Sequence, residues 1–294
     1  MKDGLPLVSV VIASYNHGPY IEQSILSVLN QTYPNIELLV VDDGSNDDSV
    51  ERIRRLQVEH GFDFQVQENQ GLPRTLNGAI ARSKGSLIAP FGSDDIMLPE
   101  RIAIQVAHMD GKPEVGICAG NMELIDSDGN PFPEKRPRRD VPFRRLDFDD
   151  MFLDRKPYPP APTLLIRREA LEKVGGFDPA IRLEDLLIEL KITHAGYFID
   201  ALGVSMARYR KHASNSSKNH RFMIEAILKT YALFSDHSAY DEVRYKFLNS
   251  MFVKTANRDR VLARELLKQL PFKYFDRKTL RGLGRLFFSP RKKG

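Results

Sequence analysis

Residues 8–45 read VSVVIASYNHGPYIEQSILSVLNQTYPNIELLVVDDGS. The apolar run Leu7–Ile12 predicts a short buried strand, and Ile36–Val41 predicts a second one. Between them, apolar residues recur at helical spacing within Tyr20–Leu29. A strand, a helix and a strand in this order form a βαβ unit, so the stretch indicates a sheet of largely parallel strands.

The alternation of strands and helices continues to about residue 110. Alternating apolar side chains at 62–66 and the run Leu87–Phe91 predict two further strands. Helices are predicted around residues 50–56, from Pro73 to Ala81 and over Pro99–Met109. The predicted fold class is therefore α/β, with a Rossmann-like, mostly parallel central sheet flanked by helices.

Polar segments follow three of the predicted strands. They are Ser14–Asn16 after the first strand, Asp42-Asp43 after the second and Asp94-Asp95 after the fourth. Ligands of parallel sheets bind beyond the carboxyl ends of the strands, so we expect these segments to line one cleft.

The carboxylate pairs are candidate ligand sites. Adjacent carboxylates such as Asp94 and Asp95 repel each other unless a cation binds, and Mg²⁺ and Mn²⁺ prefer oxygen ligands. The alternative is a solvated loop in which Asp95 caps the next helix. Asp43 could accept hydrogen bonds from a base or a ribose hydroxyl, or it could belong to a plain turn.

Two later segments also carry candidate chemistry. Glu184 and Asp185 begin a helical pattern, where acidic residues favour the helix dipole but could also supply a general base. Arg210 and His212 could hold a diphosphate, and His212 could bind a metal, although a single histidine is more often structural.

The middle of the chain has a different composition. Val115–Asn121 predicts a strand and Asp128-Gly129 a turn. Residues 131–162 contain eight of the eighteen prolines, which predicts a long irregular connection that faces the substrate. From about His220 the spacing of apolar residues is mostly helical.

Composition excludes several classes of protein. Hydrophobic residues make up 42% and charged residues 28% of 294 residues, which excludes a wholly disordered chain. The single cysteine, Cys118, permits no intrachain disulfide and fits the cytoplasm. Because no run of about 18 apolar residues occurs, we expect a soluble protein without a membrane-spanning helix.

The net charge of +4 is unevenly distributed. Residues 273–293 contain eight Lys or Arg and one acidic residue, Asp276, so this tail carries +7 and the rest of the chain −3. Apolar residues are interleaved with these charges at Leu280, Leu283, Leu286, Phe287 and Phe288. The pattern predicts that 272–294 lies on an anionic membrane surface, with a disordered solubilising tail as the alternative. We expect no nucleic-acid partner, because a nucleic-acid-binding face would distribute the charge differently.

Together these segments resemble family 2 of the glycosyltransferases, which has the GT-A fold. The resemblance covers about residues 7–215 and lies in the order and spacing of six blocks: 8–45 as quoted above, NQGLPRTLNGAIARSKG (69–85), GSDD (92–95), VGGFD (174–178), LEDLLIELKITHAGY (183–197) and YRKHASNSS (209–217). It implies a GT-A domain over 1–215, with a nucleotide-binding half of about 1–112 and an acceptor half of about 113–215. Residues 216–294 would form a helical extension that ends in the basic amphipathic tail.

The resemblance assigns roles position by position. Asp185 matches the catalytic base of an inverting, non-processive enzyme. The positions that match donor contacts are Ala13, Tyr15, Asn16, Asp43, Arg74, Asn77, Ser93, Asp94, Arg210 and His212. The expected metal is Mn²⁺ or Mg²⁺, bound by Asp94, Asp95 and His212. The first aspartate of the family's Asp-x-Asp metal motif is Gly92 here, which leaves the identity of the metal and the strictness of the requirement open.

The donor and acceptor are less clearly indicated. Family 2 enzymes use UDP-, dTDP- and GDP-sugars. Residues 92–101 and 161–168 are also similar to bacterial rhamnosyltransferases of lipopolysaccharide assembly, which implies dTDP-L-rhamnose as donor, or otherwise a UDP-sugar. The acceptor would be a saccharide or lipid-linked saccharide, and the enzyme would be cytoplasmic or peripheral on the inner face of the cytoplasmic membrane.

Two alternatives come from other classes of protein. A sugar nucleotidyltransferase would need a glycine-rich basic loop, but residues 13–20 contain one glycine and no Lys or Arg. A non-enzymatic, basic membrane-binding protein would explain the tail and would leave the order of the acidic segments unexplained.

Overall fold

A computed structural model describes residues 4–132, 141–155, 157–181, 183–213, 215 and 219–288. The chain divides into two compact units, Met1–Ala213 and Ser214–Gly294, and each is described by itself below. The predicted boundary after residue 215 falls beside residues 214 and 216–218, which lie outside the described residues. The functional division of the first unit into two halves stays a prediction.

The described part of the first unit contains nine strands and seven α-helices. The strands are β1 (Val8–Ser14), β2 (Ile36–Asp42), β3 (Asp63–Val66), β4 (Leu87–Gly92), β5 (Ile96–Met97), β6 (Val115–Ile125), β7 (Arg144–Leu146), β8 (Leu165–Arg167) and β9 (Phe198–Arg210). The helices are α1 (Gly18–Leu29), α2 (Ser49–His60), α3 (Leu72–Arg82), α4 (Arg101–Met109), α5 (Phe148–Phe152), α6 (Arg168–Lys173) and α7 (Glu184–His194).

All nine strands join one sheet in the order β3-β2-β1-β4-β8-β6-β9-β5, and β7 pairs with β9. β1 pairs in parallel with β2 and β4, β2 with β3, and β6 with β9. β8 is antiparallel to both β4 and β6, so β4, β6 and β9 point the same way. Six of these strands therefore run in one direction, which confirms the predicted α/β class with a mostly parallel sheet.

The core lies between the sheet and its helices. Val8, Val10, Val11 and Ile12 of β1 are fully buried, as expected for a central strand covered on both faces. Each such side chain contributes about 1.5–3 kcal/mol to stability when fully buried. The predicted strands and helices of residues 7–109 are all present, with ends that lie at most four residues from the predicted ones.

The proline-rich connection differs from its prediction. Residues 144–146 form β7, which pairs with β9, and residues 148–152 form α5. The side chain of Asp147 accepts a hydrogen bond from the Asp150 amide and so caps α5. The prediction of an irregular connection was therefore wrong for 144–152, because pairing with β9 outweighs the local proline signal. Residues 133–140 and 156 lie outside the described residues, and the substrate-facing role stays a prediction.

The second unit is helical in its described part, with α8 (His220–Ala232), α9 (Tyr240–Thr255), α10 (Arg260–Lys268) and α11 (Arg277–Phe288). Its core includes Leu248, Phe252, Leu266 and Leu286. The predicted amphipathic tail is helical over α11, while residues 289–294 lie outside the described residues. No helix in the described part of the chain is both long and apolar enough to span a bilayer.

Candidate active site

The direction of the strands brings three loops together. β1, β4 and β9 run the same way, so the residues after their carboxyl ends share one edge of the sheet. These residues include His17 after β1, Asp94 after β4 and His212 after β9. Ile96 of β5 pairs with Arg208 of β9, which draws the turn at 93–95 towards the end of β9. This confirms the prediction that polar segments converge on one edge.

His17, Asp94 and His212 form the centre of this site, which we call the His-Asp-His cluster. Each residue offers one possible metal-ligand atom, and these three atoms lie within 4.8 Å of one another. The described part of the chain contains this one cluster of three or more such residues. His212 Nε2 lies 2.8 Å from Asp94 Oδ2, and His17 Nδ1 lies 2.7 Å from Ser93 Oγ. The side chains of His212 and Asp94 are only 4% and 14% exposed.

The pKa values of Asp94 and His17 are both lowered, for different reasons. Burial alone would raise the pKa of Asp94, but the hydrogen bond with His212 and the nearby imidazoles lower it overall. Burial lowers the pKa of His17, against the attraction of the Asp94 carboxylate. The cluster therefore presents a carboxylate anion beside a predominantly neutral His17 imidazole at neutral pH, which is the protonation pattern that metal ligands require.

Asp95 has a different environment from its neighbour. Its Oδ1 accepts a 2.9 Å hydrogen bond from the backbone amide of Arg210, and the residue is only 3% exposed. Burial and the adjacent Asp94 charge raise its pKa well above the usual range. Asp95 therefore supports the loop and lies outside the His-Asp-His cluster. Its predicted role as a metal ligand beside Asp94 and His212 stays a prediction.

Arg210 also has a supporting position. Its guanidinium donates to the Asp94 carbonyl at 2.8 Å, to Gln23 Oε1 at 2.6 Å and to the Ser127 carbonyl at 3.0 Å. It lies over the ring of Tyr20, and the residue is 1% exposed. Because its nitrogens are occupied by protein acceptors, Arg210 orders the loop that carries Asp94. Its predicted contact with the donor phosphates stays a prediction.

The end of β2 forms a second part of the site. Asp43 Oδ1 accepts hydrogen bonds from Gln67 Nε2 at 2.7 Å and from the Gln70 amide at 2.9 Å, and Oδ2 accepts one from the Gly71 amide at 2.9 Å. The Asp43 carboxylate therefore ties the end of β2 to the loop before α3. This places Asp43 at the same edge as the His-Asp-His cluster, since β2 is parallel to β1.

The segment after β1 is linked to the loop after β2. Asn16 adopts a left-handed conformation, with φ of 54°, which asparagine tolerates better than most residues. Its amide donates to Ser45 Oγ at 2.9 Å, and its Oδ1 accepts from the Asn46 amide at 2.8 Å. The Tyr15 side chain is 46% exposed and Ala13 is half-buried, so both border the space at this edge.

The two predicted donor contacts on α3 lie in different environments. Asn77 Nδ2 donates to the Phe177 carbonyl at 2.7 Å, and Asn77 Oδ1 accepts from the Phe177 amide at 3.0 Å. Asn77 thus holds the loop at 174–178 against α3, which gives it a structural function. Arg74 is exposed on the same helix and keeps its predicted role as an expectation.

Asp185 lies in the first turn of α7, as predicted. Burial raises its pKa, although its Oδ1 accepts a 2.8 Å hydrogen bond from the Leu186 amide. Burial and the negative charge of Asp185 raise the pKa of Glu184 to about 8. In the described part of the chain no hydrogen bond joins Asp185 to the His-Asp-His cluster, so its role as base stays a prediction.

The chemistry of the cluster fits a divalent metal. Two imidazoles and one carboxylate are ligands that Mn²⁺ and other first-row ions accept. The 2.8 Å between His212 Nε2 and Asp94 Oδ2 is close to the separation of neighbouring ligands around one such ion. The three residues present can therefore hold the metal that the family resemblance implied.

A separate groove lies at the opposite edge of the sheet. Its volume is about 1190 Å³, and its lining includes Leu5–Leu7, Leu87 and Lys112, which precede or begin β1, β4 and β6. It contains none of the predicted site residues. Ligands of parallel sheets bind at the carboxyl ends of strands, which is the edge that carries the His-Asp-His cluster and not this groove.

Comparison with known proteins decides the family. The profile of the family described as Glycosyl transferase family 2 matches residues 9–175, which is more than half of the chain. The chain belongs to glycosyltransferase family 2. It is therefore a glycosyltransferase, and the alternatives of a nucleotidyltransferase and of a non-enzymatic membrane-binding protein are set aside.

Relatives of this glycosyltransferase are found in several bacteria. An uncharacterized glycosyltransferase of Nostoc is 28% identical over 92% of the chain and 83% of the relative. The O-antigen biosynthesis glycosyltransferase WbnJ of Escherichia coli is 28% identical over 73% of the chain and 84% of WbnJ. An uncharacterized glycosyltransferase of Rickettsia felis is 30% identical over 73% of the chain, which spans only 36% of that longer relative.

Solved structures confirm the GT-A fold of this glycosyltransferase. TarS 1–349 of Staphylococcus aureus, in complex with UDP-GlcNAc, has a TM-score of 0.66 at 18% identity and covers 95% of this chain and 80% of that one. The mannosyltransferase PcManGT of Pyrobaculum calidifontis, in complex with GDP-Man and Mn²⁺, has a TM-score of 0.62 at 18% identity. The match covers 97% of this chain and 86% of PcManGT.

Proposed function

We propose that this glycosyltransferase moves a sugar from a nucleoside-diphosphate sugar to a saccharide acceptor, with inversion at the anomeric carbon. The observation that carries the proposal is the His-Asp-His cluster, which lies at the same edge of the sheet as Asp43. A metal-binding cluster and an acidic turn at the carboxyl ends of parallel strands suit a ligand with a diphosphate at one end and a nucleoside at the other.

Different residues at this edge contact the nucleoside and the diphosphate of the proposed donor. Asp43 and Asn16 anchor the loops that surround the nucleoside, and the exposed ring of Tyr15 offers a surface for the base. Asp94, His212 and His17 lie where the diphosphate would be held. A divalent ion bound by these three residues would neutralise the charge that builds on the departing diphosphate.

Asp185 supplies the proposed base. It takes the proton from an acceptor hydroxyl as that oxygen forms a bond to the anomeric carbon and the bond from this carbon to the diphosphate oxygen breaks. The products are the glycoside with inverted configuration, the nucleoside diphosphate and the protonated Asp185. Its raised pKa supports this role, because a general base works best when its pKa approaches the operating pH.

The relatives support the coarser part of the proposed donor and acceptor. TarS has been crystallised with UDP-GlcNAc and PcManGT with GDP-Man and Mn²⁺, which supports a nucleotide-sugar donor and a divalent metal, Mn²⁺ or Mg²⁺. WbnJ is an O-antigen enzyme, which supports an acceptor in surface-polysaccharide or lipopolysaccharide assembly. We propose dTDP-L-rhamnose as donor, with a UDP-sugar as the alternative.

Thermal unfolding with each nucleotide tests the proposal. The full chain is heated with UDP, dTDP or GDP, each with and without Mn²⁺ or Mg²⁺. A ligand present at 100 times its Kd adds about 2.7 kcal/mol to stability. A metal-dependent rise in Tm with dTDP supports the rhamnose donor, and a rise with UDP alone supports the alternative. No rise with any nucleotide in folded protein overturns the proposed donor class.

The second unit supports a further part of the proposal, contact with an anionic membrane surface. Phe272, Leu280, Phe287 and Phe288 are between 61% and 89% exposed. Exposed basic residues lie among them at Lys273, Arg277, Lys278 and Arg281. Apolar side chains flanked by cations fit the headgroup region of an anionic bilayer, because the apolar groups insert while the cations meet the lipid phosphates.

Flotation with lipid vesicles tests the membrane proposal. The full chain should float with vesicles that contain phosphatidylglycerol and remain in solution with phosphatidylcholine alone. The double change Phe287→Ser and Phe288→Ser should abolish flotation. Val58→Ser removes an equally exposed apolar residue from α2 and serves as the matched control. Equal flotation of the double variant and the wild type would rule out this surface.

A further inference from the structure

We infer that His17 is a third protein ligand of the divalent ion, in place of the carboxylate absent at position 92, and that this nitrogen-rich set makes the site prefer Mn²⁺ to Mg²⁺. The inference rests on the proposed metal-dependent function. It concerns a residue that the family's Asp-x-Asp motif does not include.

The surroundings of His17 are those of a ligand histidine. Its Nδ1 lies 2.7 Å from Ser93 Oγ, which leaves Nε2 as the nitrogen available to a metal. Metal-binding histidines usually engage their second ring nitrogen in such a hydrogen bond, because it sets the tautomer and the orientation of the ring. Ser93 therefore acts as a positioning residue for His17.

The backbone around His17 is held in place independently. Its amide donates to Ser49 Oγ at 3.1 Å, and the Gly18 amide donates to Asp47 Oδ2 at 2.9 Å. The His17 ring also contacts the His212 ring edge-on, with centroids 5.5 Å apart. These contacts fix the imidazole beside the other two ligands before any ion binds.

A side chain at position 92 would require the carboxylates of Asp94 and Asp95 to move. A Cβ atom on Gly92 would lie 2.9 Å from Asp94 Oδ1 and 2.9 Å from Asp95 Oδ2, which is closer than real Cβ atoms approach oxygen. The two carboxylates occupy the space in which a side chain at 92 would begin. The site thus has one fewer oxygen ligand than the motif would supply and one more nitrogen ligand.

The ligand set has consequences for the choice of metal. Mg²⁺ strongly prefers oxygen and gives up its water reluctantly, whereas Mn²⁺, as the weakest binder of the first-row divalent series, still accepts nitrogen beside oxygen ligands. Two imidazoles and one carboxylate should therefore bind Mn²⁺ at least tenfold more tightly than Mg²⁺. Removal of His17 should weaken Mn²⁺ binding and leave Mg²⁺ binding nearly unchanged.

Metal titration of the full chain without donor tests the inference. Calorimetry with MnCl₂ and with MgCl₂ compares the wild type with His17→Ala and His17→Gln, and His60→Ala serves as a control at the end of α2. We expect at least a tenfold loss of Mn²⁺ affinity in both His17 variants and no change in His60→Ala. Pulsed electron paramagnetic resonance of bound Mn²⁺ should show coupling to two imidazole nitrogens in the wild type and to one in the variants.

The outcomes separate this inference from the proposed function. If the wild type binds Mn²⁺ and both His17 variants, folded by circular dichroism, bind it equally with unchanged nitrogen coupling, the role of His17 is wrong and the proposed function stands. If the wild type binds neither ion, the metal site itself is wrong, and both the inference and the metal dependence fail. Binding of Mg²⁺ by the wild type as tightly as Mn²⁺ would overturn the proposed selectivity.

Discussion

A Cβ atom placed on Gly92 would lie 2.9 Å from Oδ1 of Asp94, so the absence of a side chain at 92 and the position of the Asp94 carboxylate depend on each other. The Gly92 carbonyl also accepts a 2.8 Å hydrogen bond from Ser24 Oγ of α1, which fixes the backbone at this point. The departure from the family's Asp-x-Asp motif is therefore part of the geometry of this site.

We predict that Gly92→Asp does not restore a stronger metal site. The new side chain would displace the carboxylates of Asp94 and Asp95, and overpacking of this kind costs about 1–3 kcal/mol. The free energy of unfolding in urea and the calorimetric Kd for Mn²⁺ should both worsen. Gly78→Ala is the matched control, since a Cβ there meets no atom within 4 Å. Tighter Mn²⁺ binding in Gly92→Asp would contradict the prediction.

Asp185→Asn should lower kcat by about 10²–10⁴-fold, because an amide cannot accept the acceptor hydroxyl's proton. The donor's effect on Tm should remain, since no hydrogen bond among the described residues joins Asp185 to the His-Asp-His cluster. Glu184→Gln is the control. The pKa of Glu184 is raised to about 8, so the carboxyl is mostly protonated at pH 7 and the amide resembles it. Near-normal turnover of folded Asp185→Asn, measured by release of nucleoside diphosphate, would contradict the role of Asp185 as general base.

Stability should depend on pH through Glu189, one turn after Asp185 in α7. Burial raises the pKa of Glu189 well above its usual range, and its Oε1 is buried without a partner. The Glu189 carboxyl therefore keeps its proton in the folded state at pH values above about 4.3, where it loses the proton in the unfolded state. The free energy of unfolding then falls as pH rises, by up to about 1.4 kcal/mol per pH unit. Glu189→Gln should reduce this fall.

Urea unfolding at intervals between pH 5 and pH 8 measures the effect. The difference in unfolding free energy between Glu189→Gln and the wild type should grow in favour of the variant as pH rises. Glu172→Gln, at a glutamate whose side chain is 65% exposed, should shift the curve by the same small amount at every pH. Parallel curves for Glu189→Gln and the wild type would mean that Glu189 is already charged in the folded protein.

Two glycines of α11 should respond oppositely to alanine. A Cβ on Gly282 would lie 2.3 Å from Cε1 of the fully buried Phe252, so Gly282→Ala should destabilise the second unit by about 1–3 kcal/mol. A Cβ on Gly284 meets nothing within 4 Å, so Gly284→Ala should stabilise it by about 0.5–1 kcal/mol through helix propensity. Urea unfolding followed by circular dichroism compares the two. Equal effects would mean that α11 does not pack on Phe252.

Local pattern was enough to predict most of the first unit. The apolar runs of β1, β2 and β4 and the helical spacing of α1 are patterns among neighbouring residues. A parallel sheet covered by helices requires apolar strands and helices with one apolar face, so these patterns predict the elements. The same pattern placed Asp43 and Asp94 at one edge, because parallel strands share their carboxyl ends. It failed at β7 and α5, where pairing with β9 and a side-chain cap override a proline-rich composition.

The sequence by itself determined the α/β fold, the edge at which the chemistry lies, and the candidates Asp94 and His212 for the metal. Only the tertiary structure decided that His17 joins them, that Asp95 turns away to the Arg210 amide, and that Arg210 is a buried support for the loop. These assignments depend on contacts such as those of His17 with Ser93, of Asp95 with Arg210 and of Arg210 with Gln23, which join residues 76, 115 and 187 positions apart in the chain. Spacing along the sequence carries no information about which side chain faces which across such distances, since that is set by strand order and packing.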